Sequence, residues 1–559
     1  MGWLIGFAGI SVPAKPIFQR EHARYTIQET GFHAQAGGIQ ETCCGGTLPA
    51  GGKFVVLGIG IHDQRILREE DWRTYLNPPR IDVDELDGHF TLIRWQSDQV
   101  ELLTDSTGVR TLYCIERTEG VYFSNRLDWL VAYTGPLEID YSNFGAQWIL
   151  PNSICTDSMV KGVSRIGPGG SAVIKRGHLT IRSRPWNPSI SQLDQNGSSY
   201  ERTLQKSLDL KGPQAWSLGL SGGLDSRALS ALLGSCKTHV WGPFDHPDVQ
   251  ISRKLSRIQG LEQNYFQDEL PDITQCIDLI RERVGLTQVI TPASASMERN
   301  AYSRLYAMGY GVLDGGFGEI ARRQLMNRAV LERILCRDSS NRSLPIPNTG
   351  KSDIFAPEIH KIMAHGAAEQ FNTAWHELPK SMTMADKADL LSVHSRLPNF
   401  FGLEQNYLDQ VCVSYMPYAQ PSVLRALFQV PLRLRWNGRL LRRLILQHAP
   451  SLSKLPLVKG TVQYPFRLGT ISSFAYTHLM KRIGKNYHDP RPQAFIHHME
   501  EFVLDTLRSD SVRNYTPYDQ TKLRLMADSL ASGDTRYVGQ LDWWLAFDTW
   551  RRILDRPSH

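Results

Sequence analysis

No hydrophobic run in this 559-residue chain approaches the roughly 20 residues that a bilayer-spanning helix needs, so no membrane span is expected. Cysteine is sparse: there are eight, and no two stand as C-x-x-C. That excludes a zinc ribbon and thioredoxin-type redox chemistry. Cys43 and Cys44 are adjacent, while Cys114, Cys155, Cys236, Cys276, Cys336 and Cys412 are scattered, which reads as reduced thiols in a cytoplasmic protein. The first residues, Met1-Gly2-Trp3-Leu4-Ile5-Gly6, lack the basic start and long apolar stretch of a signal peptide. Gly2 raises N-myristoylation, but Gly6 stands where that motif wants Ser or Thr. A concentrated charge of one sign is also lacking. The formal net charge of +6 is spread along the chain, which argues against nucleic acid as a partner and suits a protein that handles triphosphate or pyrophosphate. What remains is an ordinary globular composition, 41% hydrophobic and 21% charged, in a chain long enough for two or three domains.

The first third reads as β-rich. Short apolar strands are expected at Lys53 to Ile61, His89 to Trp95, Val100 to Thr104, Val121 to Ser124 and Ser171 to Lys175. The Gly, Asp and Asn turns between them favour antiparallel sheets. Trp186 to Ser199 is polar and rich in turn formers, and reads as an interdomain linker. The character then changes. Strands at Ala215 to Leu220, Thr238 to Trp241 and Asn264 to Phe266 alternate with helices at Ser226 to Leu233 and Val249 to Gln259. This alternation predicts a parallel sheet flanked by helices. A further strand is expected at Tyr310 to Leu313, a mainly helical remainder from Tyr302 on, and a surface loop over Asp338 to Ser352.

The strongest motif is Ser221-Gly222-Gly223-Leu224-Asp225-Ser226, placed between a strand and a helix. Its glycines let backbone N–H groups approach an anion, and the helix N-terminus adds partial positive charge. Ser226 offers a hydroxyl to a phosphate oxygen. Asp225 beside an anion requires a cation between them, and Mg²⁺ held by Asp225 and phosphate oxygens resolves the conflict. The plainer alternative is a glycine-rich turn capped by Asp or Ser. A Walker A ending is absent. A second motif, Leu313-Asp314-Gly315-Gly316-Phe317-Gly318-Glu319, again lets backbone approach a ligand, and Glu319 offers a second carboxylate for Mg²⁺. Its alternative is a turn with Glu319 set at a helix N-terminus. A third, Leu455-Pro456-Leu457-Val458-Lys459-Gly460, places Lys459 to stabilise developing negative charge. Arg439, Arg442 and Arg443 on the preceding helix either add phosphate contacts or form a solvated face.

The Ser221 to Ser226 loop resembles the PP-loop of the ATP-pyrophosphatases, which cleave ATP between the α and β phosphates. The motifs together resemble asparagine synthetase B-type enzymes, a family that includes β-lactam synthetases and lasso peptide cyclases. In the N-terminal part, Leu86-Asp87-Gly88-His89-Phe90, Thr104 to Tyr113 and Phe123-Ser124-Asn125 look like that family's glutaminase domain. The resemblance implies an α/β protein of two parts. Residues 1–187 would be an Ntn-type α-β-β-α sandwich, and residues 198–559 a PP-loop synthetase domain with a parallel sheet and a helical extension. Residue by residue, it assigns Ser221, Gly222, Gly223, Asp225 and Ser226 to ATP phosphates and metal. It gives Glu319 to Mg²⁺, Trp241 and Gly315 to adenosine through their backbone, and Lys459 to the transition state.

One departure is decisive for the expected reaction. Class II glutaminases use an N-terminal Cys, and here position 2 is Gly2, while Cys43 is internal and lacks a free α-amino group. The glutaminase-like domain is therefore expected to be degenerate, and the nucleophile to be an amine already on the substrate. β-Lactam synthetases carry a catalytic Tyr where this chain has Gly316, and the asparagine synthetase Glu and Arg are lost at Val413-Ser414-Tyr415-Met416-Pro417-Tyr418. A site without those groups is expected to be roomier and to suit a peptide. The closest resemblance is to lasso peptide cyclases. It implies a precursor peptide as substrate and a leader peptidase and leader-recognition protein as partners. Rival readings are a β-lactam or other small-molecule amide synthetase, and an ATP-binding scaffold without turnover. No general base is assigned.

Overall fold

The computed structural model describes residues 2–10, 22–49, 51–77, 85–189, 193–212, 214–267, 269–323, 351 and 353–555. The loop expected at Asp338 to Ser352 lies, but for Lys351, outside them.

The N-terminal region is built on two antiparallel sheets. The strands of this region are β1 (Trp3–Gly9), β2 (Tyr25–Glu29), β3 (Phe32–Gly37), β4 (Cys43–Thr47), β5 (Lys53–His62), β6 (Arg65–Ile66) and β7 (Asp87–Gln96). They continue with β8 (Gln99–Thr104), β9 (Leu112–Arg117), β10 (Gly120–Ser124), β11 (Ser164–Ile166), β12 (Ser171–Lys175) and β13 (His178–Arg182). One sheet runs β11-β9-β10-β1-β3-β2, the other β13-β12-β8-β7-β5-β4 with β6 on β5. Strand alternation sends one set of side chains to each face. Leu4 and Ala8 of β1 pack between the sheets with Phe32, Val55, Leu102 and Phe123. Gly6 must lack a side chain there, because a Cβ would enter the Phe123 ring. Trp3, Ile5 and Phe7 point the other way, into a core with helices Leu127–Thr134, Tyr141–Ile149 and Val538–Asp555. The second sheet's outer face, with Phe54, Val56 and Phe90, packs on Trp72 and Tyr75 of helix Glu69–Tyr75. The layers thus run helix, sheet, sheet, helix.

A parallel sheet follows. Its strands are β14 (Ala215–Gly219), β15 (Lys237–Trp241), β16 (Gln263–Phe266), β17 (Tyr310–Leu313) and β18 (Ser414–Tyr415), ordered β16-β15-β14-β17-β18. All four pairings are parallel. Chain order reverses between β14 and β17, so the crevice beyond their C-terminal ends is the place where such sheets bind ligands. A hairpin, β19 (Leu457–Lys459) and β20 (Val462–Tyr464), and many helices complete the fold. Among the described residues, no helix is long and apolar enough to cross a membrane.

The segment expected as a linker is partly built in. Trp186 is buried against Phe428, and its carbonyl accepts from His394. Asp194 accepts the amides of Ser198, Ser199 and Tyr200 and starts helix Ser198–Leu208, so Ser198 and Ser199 belong to a helix. The antiparallel and parallel regions meet through buried polar contacts. Arg110 pairs with Asp409 and donates to His89 Nδ1 at 2.9 Å, while His89 Nε2 donates to the Ser414 carbonyl at 2.9 Å. The Gly88 amide donates to Gln420, and Asp87 accepts from Ser422. Burial pushes the Asp409 carboxyl up to about 6, against the pull of Arg110. Arg110→Ala leaves that carboxyl buried without its cation and is expected to cost about 3–5 kcal/mol in chemical unfolding. Adding Asp409→Asn should recover part of the loss. A cost below about 1 kcal/mol would show that the pair does not hold the regions together.

Candidate active site

The Ser221–Ser226 loop leaves β14 at the sheet's reversal point and runs into helix Leu224–Leu233. Its own side chains hold its shape. Ser226 Oγ accepts the Ser221 amide at 3.1 Å, and Ser221 Oγ accepts the Gly223 amide at 3.1 Å. The Gly222 amide donates to Asp248 at 2.9 Å. A Cβ on Gly222 would lie 2.5 Å from Val458 and 2.9 Å from that Asp248 oxygen, so glycine is required for the fit. The Gly222 carbonyl accepts from Arg227 at 3.1 Å and from the Val458 amide at 3.0 Å. That second bond fixes β19, and with it Lys459, beside the loop. Lys459 is half-buried, with its ammonium 5.4 Å from the centre of the Phe474 ring.

The second glycine motif leaves β17 on the other side of the crevice. Gly315 lies against the first loop: a Cβ there would meet the Ser226 amide nitrogen at 3.1 Å. Gly318 is closer still, its Cβ position 2.6 Å from Asp225 Cβ and 2.8 Å from the Tyr418 ring. Asp225 and Glu319 are thus brought together, each paired with an arginine: Asp225 Oδ2 with Arg322 at 2.7 Å, Glu319 with Arg396. Burial pushes the Asp225 carboxyl up, Arg322 pulls it down, and the charge of Glu319 raises it again. Asp225 Oδ1 is buried with no hydrogen-bond partner. A buried carboxylate oxygen left so is a donor that a divalent cation would satisfy. Among the described residues, no three His, Cys, Asp or Glu side chains form a cage. Mg²⁺ suits a site with one or two carboxylates, where phosphate oxygens and water complete its shell.

Trp241 ends β15 at the same edge of the sheet, its ring 4.7 Å beneath the Arg491 guanidinium and its Nε1 buried without a partner. Arg442, a sequence candidate for phosphate, spends its donors on the carbonyls of Phe466, Asn437 and Leu468. Arg227, Asp248, Arg322 and Arg396 were not singled out by the sequence. Arg227 directly follows the first motif and Arg322 stands three residues after the second, and that nearness is the signal that could have found them. The backbone at Gly316 is closely packed: a Cβ there would meet Asp314 Oδ2 at 2.9 Å, Met416 Sδ at 3.1 Å and Phe401 at 3.2 Å.

At the start of β1, the Gly2 carbonyl accepts from Asn125 and Gln410, and its amide donates to the Asp409 carbonyl. The space lined by Gly2, Gly58, Arg110, Asn125, Asn406 and Asp409 is a cavity of about 10 Å³, at the lower limit for one water. Burial pushes the Cys43 and Cys44 thiols up to about 12, so both stay protonated near neutral pH and are poor nucleophiles.

No protein-family model matches the chain, and no curated protein matches it by sequence. Among solved structures, it is similar to glutamine phosphoribosylpyrophosphate amidotransferase from B. subtilis complexed with ADP and GMP. That likeness has 8% identity and a TM-score of 0.22, and covers 56% of this chain and 81% of the other. A second, described as the allosteric regulatory enzyme of purine biosynthesis, has 10% identity and a TM-score of 0.20, and covers 49% of this chain and 61% of that one. Likenesses this faint add nothing to the chemistry of the site.

Gly318→Ala forces a methyl group onto Asp225; on the sequence expectation that the two loops hold Mg²⁺-ATP, it should weaken that binding about tenfold or more in calorimetry. Gly539→Ala, whose Cβ meets nothing within 4 Å, is the control and should leave binding unchanged. Equal binding by both variants would remove the second glycine loop from the site.

Proposed function

We propose that the protein is an ATP-dependent carbon–nitrogen ligase that forms AMP, and that it closes a macrolactam in a precursor peptide, as lasso peptide cyclases do. The observation that carries this reading is the pairing of two glycine-rich loops at the reversal point of the parallel sheet, one bearing Asp225 with its unpartnered oxygen and the other bearing Glu319. The motifs' resemblance to asparagine synthetase B-type enzymes supplies the reaction. On this reading the N-terminal region is a degenerate Ntn-type glutaminase. The absence of an N-terminal Cys at position 2, where Gly2 stands, supports an amine on the substrate in place of ammonia.

Asp225 and Glu319 would hold Mg²⁺, which when bound offsets the charge of the triphosphate. Ser221, Gly222, Gly223 and Ser226 would meet the β and γ phosphates, the loop amides exchanging their present partners Ser226, Asp248 and Ser221 for phosphate oxygens, and Trp241 and Gly315 would flank the adenosine. A carboxylate oxygen of an Asp or Glu side chain attacks the α phosphorus, and pyrophosphate leaves. The peptide's N-terminal amine then attacks the acyl carbon, loses a proton, and expels AMP. Lys459, fixed beside the loop, stabilises the negative charge that builds in both steps. The protein orients tail and ring and keeps water from the activated carboxyl. A leader peptidase and a leader-recognition protein would deliver the peptide.

The tight packing around Gly316 favours a second reading, a small-molecule amide synthetase with the same activation step. Mass spectrometry of a candidate precursor peptide incubated with its peptidase, Mg²⁺, ATP and the protein separates the two, with AMP assayed in parallel. Loss of one water from the core peptide, matched by AMP, is expected. Asp225→Ala and Lys459→Ala should each reduce both products about a hundredfold or more. AMP without a dehydrated peptide selects the small-molecule reading. Neither product, with the peptidase active, leaves only an ATP-binding scaffold.

A further inference from the structure

The two carboxylates of the crevice do not stand alone; each is clamped by a guanidinium, and the two guanidinia differ. Arg396 is fixed on several sides. It pairs with Glu319, lies 4.6 Å from the centre of the Phe400 ring and 5.3 Å from that of Phe401, and its Nη1 donates to Asn152 at 3.4 Å. Arg322 belongs to the crevice itself. It closes the short helical turn Gly318–Arg322 that follows the second glycine loop, and its Nη2 donates to Asp225 Oδ2 at 2.7 Å. The other oxygen of that carboxylate is the buried one without a partner. Burial works against the Arg322 charge, and Asp225 and Glu319 outweigh it, so the guanidinium keeps its proton. A cation position on Oδ1 and a guanidinium on Oδ2 therefore share one carboxylate. Phosphate oxygens drawn to the first lie next to the second, and a planar guanidinium fork suits phosphate better than a lysine ammonium does.

Resting on the proposed ATP-pyrophosphatase reading, we propose that Arg322 is a further binding residue of the site and contacts the pyrophosphate portion of ATP. It would hold the leaving group together with the Ser221–Ser226 loop. Of the three arginines that the helix pattern offered for phosphate contacts, Arg439, Arg442 and Arg443, Arg442 donates to the backbone carbonyls of Phe466, Asn437 and Leu468.

Calorimetric titration of the full chain with Mg²⁺-pyrophosphate and, separately, with AMP tests the assignment. In Arg322→Gln, pyrophosphate binding should weaken about 10–100-fold while AMP binding stays within about twofold, because AMP lacks the phosphates that Arg322 holds. Arg322→Lys keeps the charge beside Asp225 and so protects the fold. It should bind pyrophosphate about 3–10-fold more weakly than the wild type, again with AMP unchanged. Pyrophosphate bound equally by wild type and Arg322→Lys, or AMP and pyrophosphate weakened alike, overturns the assignment and leaves Arg322 a structural partner of Asp225. If the wild type binds neither ligand, the ATP-pyrophosphatase reading falls and this inference with it.

Discussion

Beneath the first glycine loop lies a fully buried guanidinium on which the site's geometry depends. Arg227 donates to the carbonyls of Leu452, Leu455, Gly222 and Pro456. Burial lowers its affinity for the proton to about 10, which leaves it charged at neutral pH. One side chain thus ties the loop and the helix that follows it to the stretch, far away in sequence, that leads into β19. Lys459 is beside the loop because of this tie and the bond from the Val458 amide to the Gly222 carbonyl. Buried carbonyls need donors, and a guanidinium is the side chain that can supply several from one point. Gly222 can face Asp248 and Val458 only because it has no side chain.

The N-terminal region has a part in the same geometry. Arg165 donates to Asn399 and to the Pro398 carbonyl, and Asn399 donates to the carbonyls of Ser153 and Cys155. These bonds grip the π-helical stretch Leu397–Phe401. That stretch begins one residue after Arg396 and carries the Phe401 ring to Gly316. π-Helical turns are rare and recur at functional sites, since they cost regular hydrogen bonding that neighbours must replace. Here the neighbours are Arg165 and the 153–155 segment. The N-terminal region thus has a mechanical role, bracing one wall of the crevice.

Four of the five parallel strands were readable from sequence as short runs between amphipathic helices, while β18, two residues long in a stretch read as mainly helical, was not. The expected strand Tyr310 to Leu313 matches β17, and the helix expected from Ser226 begins at Leu224. Much of the antiparallel region was not. Strands β3 and β4, Phe-His-Ala-Gln-Ala-Gly and Cys-Cys-Gly-Gly-Thr, have little β propensity, and sheet partners supply what the local sequence does not. At the site, residue types in glycine loops pointed to positions that do meet in space, but pairing was hidden. That Asp225 meets Arg322 and Glu319 meets Arg396 depends on which strands are neighbours, and a linear pattern does not carry that. The close packing at Gly316 was hidden for a related reason. Which residues lie against a glycine, here Met416 and Phe401, depends on packing that a linear pattern does not carry.

The central claim is that a substrate carboxylate is activated by transfer of AMP, and oxygen-18 in that carboxylate tests it most directly. A precursor peptide labelled at its Asp and Glu side-chain oxygens, turned over with unlabelled ATP and analysed by mass spectrometry, should yield AMP carrying one heavy oxygen. The label has to travel because the carboxylate oxygen that bonds to the α phosphorus leaves with AMP when the amine closes the ring. Heavy oxygen in inorganic phosphate instead, with ADP as the nucleotide product, would show attack at the γ phosphorus and contradict the account.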